Sequence, residues 1–304
     1  MSFADFYAAI HVDRDGRSRA PFPWQERLAR RVVDTGTWPA LLDLPTGVGK
    51  TSAIDVALYA LAVDPSRAPR RICLVVDRRV IVEQAADHAR QIQMRMRHGA
   101  APEVAARLRA LFGGGEDESP FDVGVLRGGM AKESDWAERP DKPLVLLSTV
   151  DQAGSRLLFR GYGVSDRMAP VHAGLLGHDI LYLLDEVHLA RPFADTLRQI
   201  RSRWRTAPDF PGALERFQVV EMSATPGREE TDRLTLDEED GQNPIIRQRL
   251  DASKPTALEV VQVRGRDEAP KRAGLARAAA EAAKKHLASG ARAVAVVLNR
   301  VDGA

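Results

Sequence analysis

Two short segments, far apart in the chain, carry glycine, lysine, hydroxyl and carboxylate residues at spacings that could do chemistry. The first reads Leu44-Pro45-Thr46-Gly47-Val48-Gly49-Lys50-Thr51. Its two glycines allow a tight turn whose backbone N–H groups point into a phosphate. Lys50 can then reach the β and γ phosphates, and the Thr51 hydroxyl can bind Mg²⁺. We therefore predict that ATP and Mg²⁺ are bound by Pro45, Thr46, Gly47, Val48, Gly49, Lys50, Thr51 and Ser52.

The second segment is Asp185-Glu186-Val187-His188, which follows the apolar run at residues 180–184. Asp185 is therefore expected at the carboxyl end of a buried strand, where it can hold Mg²⁺ together with Thr51. Glu186 is placed to orient and deprotonate the attacking water. His188 lies beyond the water site and is interpreted as a sensor of the nucleotide rather than a metal ligand. The predicted catalytic residues are thus Lys50, Asp185, Glu186 and His188; a surface turn is the alternative for this segment taken alone.

A third element, Ser223-Ala224-Thr225, ends the apolar run at residues 217–222. The hydroxyls of Ser223 and Thr225 could bond the acidic segment and couple hydrolysis to movement. They could equally satisfy the end of a buried strand. Both interpretations stay open from the residues alone.

Apolar runs that alternate with helical patterns must position these groups. The phosphate-binding segment lies between a short apolar run at 40–44 and an amphipathic pattern that begins at Ser52, which is the strand-loop-helix setting that the motif requires. This order predicts an α/β fold, a mostly parallel sheet flanked by helices. Further predicted strands are 71–76, 143–148, 179–184 and 217–222, and further predicted helices are 80–96, 102–112 and 190–204.

Composition and charge set the broader limits. The 304 residues, 44% hydrophobic and 28% charged, suit one large domain or one and a half smaller ones. Neither a signal peptide nor a bilayer-spanning run is visible, so we expect a cytoplasmic protein without a membrane partner. The single cysteine, Cys73, excludes an internal disulfide and is expected in the core. An excess of arginine over residues 64–109 suits either a nucleic-acid phosphate track or a solvated helix face.

The last part of the chain is predicted to be a separate region. We expect a first lobe at 1–226, a solvated acidic connector at 227–249, and the incomplete start of a second lobe at 250–304. Within that start, the pattern predicts strands at 258–263 and 294–299 and a helix at 273–287. We expect the rest of the second lobe beyond residue 304.

Taken in order, Gln25, Lys50-Thr51, Asp185-Glu186-Val187-His188 and Ser223-Ala224-Thr225 resemble the first motor lobe of superfamily-two helicases. The usual motif begins with glycine where this chain has Leu44, but such motors often carry another residue there. The resemblance implies a RecA-like P-loop NTPase lobe and the start of a second one. Within the superfamily, Ser148-Thr149-Val150-Asp151-Gln152 and the following stretch at 157–167 look most like the CRISPR-associated helicase-nuclease of type I systems, subtype G, formerly U.

That resemblance implies single-stranded DNA and a CRISPR surveillance complex as partners. It places backbone contacts, which carry no base specificity, on Arg78, Arg79, Arg127, Gly128, Thr149, Asp151 and Gln152. Surface ion pairs remain the alternative for the three arginines. The adenine edge would be read by Gln25, whose amide offers a donor and an acceptor. Phe22 and Trp24 could stack on the base, or they could anchor the core.

The resemblance does not extend to a nuclease site, because the seven histidines are scattered. An arginine finger would come from the second lobe. Three alternative functions remain open: a superfamily-two helicase of RNA or of restriction systems, an ATP-dependent nucleic-acid-binding switch that does not translocate, and a small-molecule P-loop kinase.

Overall fold

The structure is a computed structural model that describes most of the chain in two compact units, Met1–Asp251 and Ala252–Ala304. The described residues are 1–13, 15–127, 135–186, 190–205, 216–224, 230–252, 256, 258, 260 and 268–297. No helix in these ranges combines the length and the apolar character needed to cross a membrane.

The first unit contains a seven-stranded sheet in the order β3-β4-β2-β5-β6-β1-β7, with each pair of neighbouring strands parallel. The strands are β1 Leu41–Asp43, β2 Arg71–Val76, β3 Asp122–Leu126, β4 Leu144–Thr149, β5 Ile180–Asp185, β6 Phe217–Ser223 and β7 Arg233–Thr235. The helices of this unit are α1 Phe3–Ile10, α2 Pro23–Thr35, α3 Ala53–Val63, α4 Arg79–Arg97, α5 Pro102–Ala110, α6 Val150–Leu157, α7 Ala169–Gly177, α8 Arg191–Arg205, α9 Glu238–Gln242 and α10 Pro244–Leu250. The predicted α/β fold, a mostly parallel sheet flanked by helices, is confirmed.

Helices cover both faces of the sheet, so the central strands are buried on both sides and are mostly apolar. Strand β5 illustrates the alternation of side chains between faces. Leu181 and Leu183 belong to the core cluster that includes residues of α1 to α5. Tyr182 and Leu184 belong to the opposite cluster, which includes residues of α6 to α8. Cys73 is fully buried in that second cluster, as predicted.

The predicted acidic connector differs from the structure. Strand β7 extends the sheet beside β1, and α9 and α10 belong to the first unit. The acidic side chains here are used internally: Asp237 and Asp240 cap α9 reciprocally. Asp240 is fully buried, accepts the Trp24 N–H at 2.8 Å and pairs with Arg27 at 2.8 Å. The excess of acidic residues at 227–249 predicted a solvated connector. The sequence does not reveal the pairing because Arg27, which neutralises Asp240, lies more than two hundred positions earlier in the chain.

Strand β3 was also absent from the predicted elements, because its five residues contain a glycine and begin with aspartate. In the second unit, α11 Glu268–Ala288 contains the predicted helix at 273–287. The described residues of the two strands predicted there, including 294–297, are not in strand conformation. The division into lobes therefore stays a prediction.

Candidate nucleotide-binding site

The phosphate-binding segment leaves the carboxyl end of β1 and enters α3 through a short 3₁₀ turn at Lys50–Ser52. Gly47 and Gly49 have φ of 86° and 82°, in the left-handed region that favours glycine. A Cβ at Gly47 would meet nothing within 4 Å. Gly47 is therefore needed for its backbone conformation, and not because a side chain would lack space there.

The acidic pair lies close to this segment. Lys50 influences the charge state of Asp185, and Leu44 donates its N–H to the Ser223 carbonyl at 3.1 Å across the β1–β6 pair. The Lys50 ammonium donates to the carbonyl oxygens of Leu44 at 3.0 Å and Pro45 at 3.5 Å. The lysine thus bonds its own loop at the position where phosphate oxygens would compete for it.

Asp185 is a partly buried carboxylate whose negative charge is not fully compensated. Burial raises its pKa above the ordinary value of 3.8; the positive charge of Lys50 opposes this rise and the negative charge of Glu186 adds to it. Among the described residues its Oδ1 atom is buried with no hydrogen-bond partner. A buried carboxylate oxygen without a hydrogen-bond partner is well suited to bind a divalent cation. The donor chemistry of Asp185 and the Thr51 hydroxyl therefore fits Mg²⁺.

Glu186 has a backbone φ of 51°, an uncommon value for a residue with a side chain. Its N–H donates to the Met222 carbonyl at 3.0 Å, which continues the β5–β6 pairing one residue past the strand. Such strain is concentrated at functional positions. It turns the chain sharply at the residue predicted to act as the base. His188 lies outside the described residues.

Gln25 and Trp24 hold the phosphate-binding segment through hydrogen bonds. The buried Gln25 amide accepts the Phe22 N–H at 2.8 Å and donates to the Ser52 hydroxyl at 2.5 Å. Trp24 is fully buried and donates its indole N–H to the Val48 carbonyl at 3.1 Å. Of the two interpretations of Trp24, the core anchor therefore holds. The Gln25 side chain is fully buried and also hydrogen-bonds Tyr7, so in this structure its amide is used within the protein.

A cleft of about 690 Å³ opens beside Gln25 and the loop residues Gly49, Thr51 and Ser52. Phe22 lines one wall, and the guanidinium of Arg249 lies 5.7 Å from the centre of its ring. Arg249 also donates to the Gly47 carbonyl. The sequence did not single out Arg249, because it lies in the stretch that was predicted to be a solvated connector.

The predicted nucleic-acid residues follow the neighbouring strands. Arg78 and Arg79 come just after β2 and are exposed, and among the described residues neither takes part in an ion pair. Arg127 follows β3 and pairs with Glu83 at 2.6 Å, which agrees with the alternative of a surface ion pair. Thr149 ends β4 and occupies the N-cap position of α6, without a capping hydrogen bond from its side chain.

The remaining predicted nucleic-acid and coupling residues lie in α6, at the end of β6, or outside the described residues. Asp151 is exposed in the first turn of α6, and Gln152 accepts a hydrogen bond from Arg156 at 2.6 Å. Ser223 is fully buried at the end of β6, beside the phosphate-binding segment. Gly128 and Thr225 lie outside the described residues.

The predicted nucleic-acid residues and the predicted nucleotide residues follow different strands along one edge of the sheet. The carboxyl ends of parallel strands meet at the same edge, and β3-β4-β2 form one half of it. The strands β5-β6-β1 form the other half, with the phosphate loop and the acidic pair. The predicted backbone-contacting residues and the predicted nucleotide residues are thus adjacent groups on a single edge.

Comparison with known proteins gives both a family and a set of similar folds. The family model described as "Type III restriction enzyme, res subunit" matches residues 19–228. Similar solved structures include the yeast DEAD-box splicing factor Prp28, with 18% identity, 73% of this chain and 44% of that chain covered, and a TM-score of 0.46. The UvsW helicase of bacteriophage T4 has 15% identity, 81% and 62% coverage, and a TM-score of 0.39.

The Hef helicase domain of Pyrococcus furiosus has 18% identity, 88% and 47% coverage, and a TM-score of 0.41. The chain thus spans roughly half the length of these solved proteins. No curated protein matches it. The family match extends from the residues before Gln25 to those after Ser223 and includes every element of the nucleotide site. The chain therefore belongs to the type III restriction enzyme res subunit family.

Proposed function

We propose that this chain is the ATP-binding lobe of a motor that translocates on single-stranded DNA. The division of the sheet edge is the observation that carries the proposal. Residues suited to a triphosphate follow β1, β5 and β6, while exposed Arg78 and Arg79 follow the neighbouring β2. A change at the γ-phosphate can reach the polynucleotide through adjacent strand ends, without a long-range path.

Within this proposal each residue of the site has a distinct task. Lys50 would leave the Leu44 and Pro45 carbonyls for the phosphates, and Thr51 with Asp185 would hold Mg²⁺, which neutralises charge on the phosphates when bound. Glu186 would accept a proton from the attacking water. Gln25 would orient the adenine, and Ser223 with Thr225 would couple the acidic segment to movement.

ATPase measurements test this proposal. We expect hydrolysis that is stimulated by single-stranded DNA and abolished by Lys50→Ala or Glu186→Gln. The Arg78→Ala/Arg79→Ala double variant should lose DNA stimulation but retain basal turnover. Equal hydrolysis with and without DNA would contradict the motor assignment.

For the biological system, we propose a CRISPR type I interference complex as the partner. This rests on the resemblance of residues 148–152 and 157–167. DNA-stimulated ATPase that rises further when a guide-loaded surveillance complex is bound to its target would support it. No response to that complex would contradict it.

A restriction system is the second candidate, favoured by the description of the matching family. In that case the motor would act on duplex DNA. Stimulation by duplex exceeding stimulation by single strands would select this alternative, while preference for RNA strands would indicate a reader of 2′-hydroxyl groups.

A further inference from the structure

Three side chains that the nucleotide site does not use converge beside the cleft. His11 follows the end of α1, Asp55 lies in the first turn of α3, and His88 lies in α4. The Nε2 atom of His11 is 2.8 Å from Asp55 Oδ2, and the Nε2 atom of His88 is 2.9 Å from Asp55 Oδ1. The two imidazole rings stack with centroids 5.5 Å apart. One carboxylate thus joins two imidazoles from separate helices.

Among the described residues, the Asp55 carboxylate is compensated by imidazoles. The Asp55 side chain is fully buried, and burial alone would raise its pKa. The groups that lower the pKa of Asp55 are His88 and His11, through charge and hydrogen bonds. A carboxylate supported only by imidazoles lacks the permanent positive charge that a lysine or arginine would give. A bound divalent ion would provide that charge.

The geometry suits an ion with nitrogen and oxygen ligands. The ligand atoms of the three residues all lie within 4.8 Å of one another. Tetrahedral Zn²⁺, with bonds of about 2.0–2.1 Å, places its ligand atoms about 3.4 Å apart. The imidazoles would therefore need to move toward each other by about 1.4 Å at most, which side-chain rotation at partly exposed positions allows. The side chains of His11 and His88 are 18% and 25% exposed.

The cleft supplies what the three residues lack. His88 lines it, so an ion has a route from solvent, and a water molecule can take the fourth position. We propose that His11, Asp55 and His88 form a binding site for a divalent transition-metal ion of the Zn²⁺ class. The ion would fasten α1 and α4 to α3, the helix that begins directly after the phosphate-binding segment.

Metal titration of the 304-residue chain tests the site. The protein is first stripped with a chelator and kept free of nucleotide and Mg²⁺. Zn²⁺ is then followed by calorimetry, and Co²⁺ by its visible absorption, which distinguishes tetrahedral from octahedral ligation. We expect one equivalent of Zn²⁺ and a tetrahedral Co²⁺ spectrum. Binding should weaken on the order of 100-fold in His88→Gln and in His11→Gln.

Two matched controls locate the ion. His98→Gln changes an exposed histidine just past the end of α4 and should bind Zn²⁺ as the wild type does. Asp185→Asn removes the predicted Mg²⁺ ligand and should also leave Zn²⁺ binding unchanged. Loss of binding in Asp185→Asn would put the ion in the nucleotide site and overturn the proposal. These measurements do not depend on ATPase activity.

Folding is checked by circular dichroism of each metal-free variant. If His88→Gln does not fold, His11→Gln supplies the result, since its side chain lies at a helix end. Absence of Zn²⁺ binding by the wild type would overturn the proposal. Equal binding by a folded histidine variant and the wild type would do the same. Either result would leave the cluster as a hydrogen-bonded connection among three helices.

Discussion

Replacing Asp185 with asparagine should make the nucleotide-free protein more stable while it removes Mg²⁺-dependent function. Asp185 is partly buried, its Oδ1 atom is buried without a hydrogen-bond partner among the described residues, and burial raises its pKa. A raised pKa means that the folded state favours the neutral form over the charged form. Asparagine has nearly the same shape without the charge, so the substitution should relieve this cost.

The expected magnitude follows from the local contacts. A buried polar group left without a partner costs about 1–3 kcal/mol. The charge of Lys50 offsets part of this cost in the wild type, and the variant loses that attraction. We expect a net gain of about 1 kcal/mol in the free energy of unfolding. For a unit of this size, that corresponds to a rise of about 2–4 °C in Tm.

The raised pKa of Asp185 also predicts how the stability difference between the wild type and the variant depends on pH. Below pH 3.8, the ordinary pKa of Asp185, the carboxyl is neutral in both the folded and the unfolded wild type, so wild type and variant should have similar stability. As the pH rises from there through the raised folded pKa, the wild type becomes less stable relative to the variant. The difference should be complete at neutral pH. Urea unfolding at several pH values measures it.

Bound nucleotide should reverse the order of stability of the wild type and Asp185→Asn. Mg²⁺ and ATP at about 100 times Kd should stabilise the wild type by about 2.7 kcal/mol, and the variant by much less. As a control, Asp87→Asn changes an exposed carboxylate on α4 and should shift stability by less than about 0.5 kcal/mol. An apo variant that is less stable than the wild type, or a difference independent of pH, would refute the reasoning.

Three further predictions concern the support of the site. Asp240→Ala should lower the free energy of unfolding by about 1–3 kcal/mol in urea titrations, because it leaves the buried backbone N–H of Trp24 without its acceptor and removes one of the two carboxylates paired with Arg27; a loss no larger than in the exposed Asp237→Ala would contradict this. Gln25→Ala should cost about 1–2 kcal/mol and weaken ATP binding in calorimetry, since the partly buried Phe22 N–H loses its acceptor; unchanged stability would argue against that role. Because burial raises the pKa of the Cys73 thiol, a disulfide reagent should label it only at the rate of unfolding; rapid labelling of the native protein would disprove the burial.

Several features of the fold could be predicted from the sequence because their signals are local. Strand β2 and the other central strands are buried on both faces, so each appears as an uninterrupted apolar run. The phosphate-binding turn needs glycines at fixed spacing, which a short segment displays by itself. Edge strand β7, with three residues and one buried side chain, gives no comparable signal.

The candidate site divides in the same way. The residue types of Lys50, Thr51, Asp185 and Glu186 and their positions after strands indicated the chemistry. The left-handed turn at Glu186 and the bond between Lys50 and its own loop could not be inferred, because both depend on neighbours in space. Arg249 was missed for the same reason.

By itself the sequence determined the α/β class, the central strands and the residues that could bind a triphosphate, since propensity and periodicity act over a few residues. Only the tertiary structure decided which strand ends are neighbours, that Asp240 is buried beneath Trp24, and that His11 and His88 meet at Asp55. Such pairings join residues tens to hundreds of positions apart. Their energy comes from burial and charge compensation, which exist only after the chain has packed.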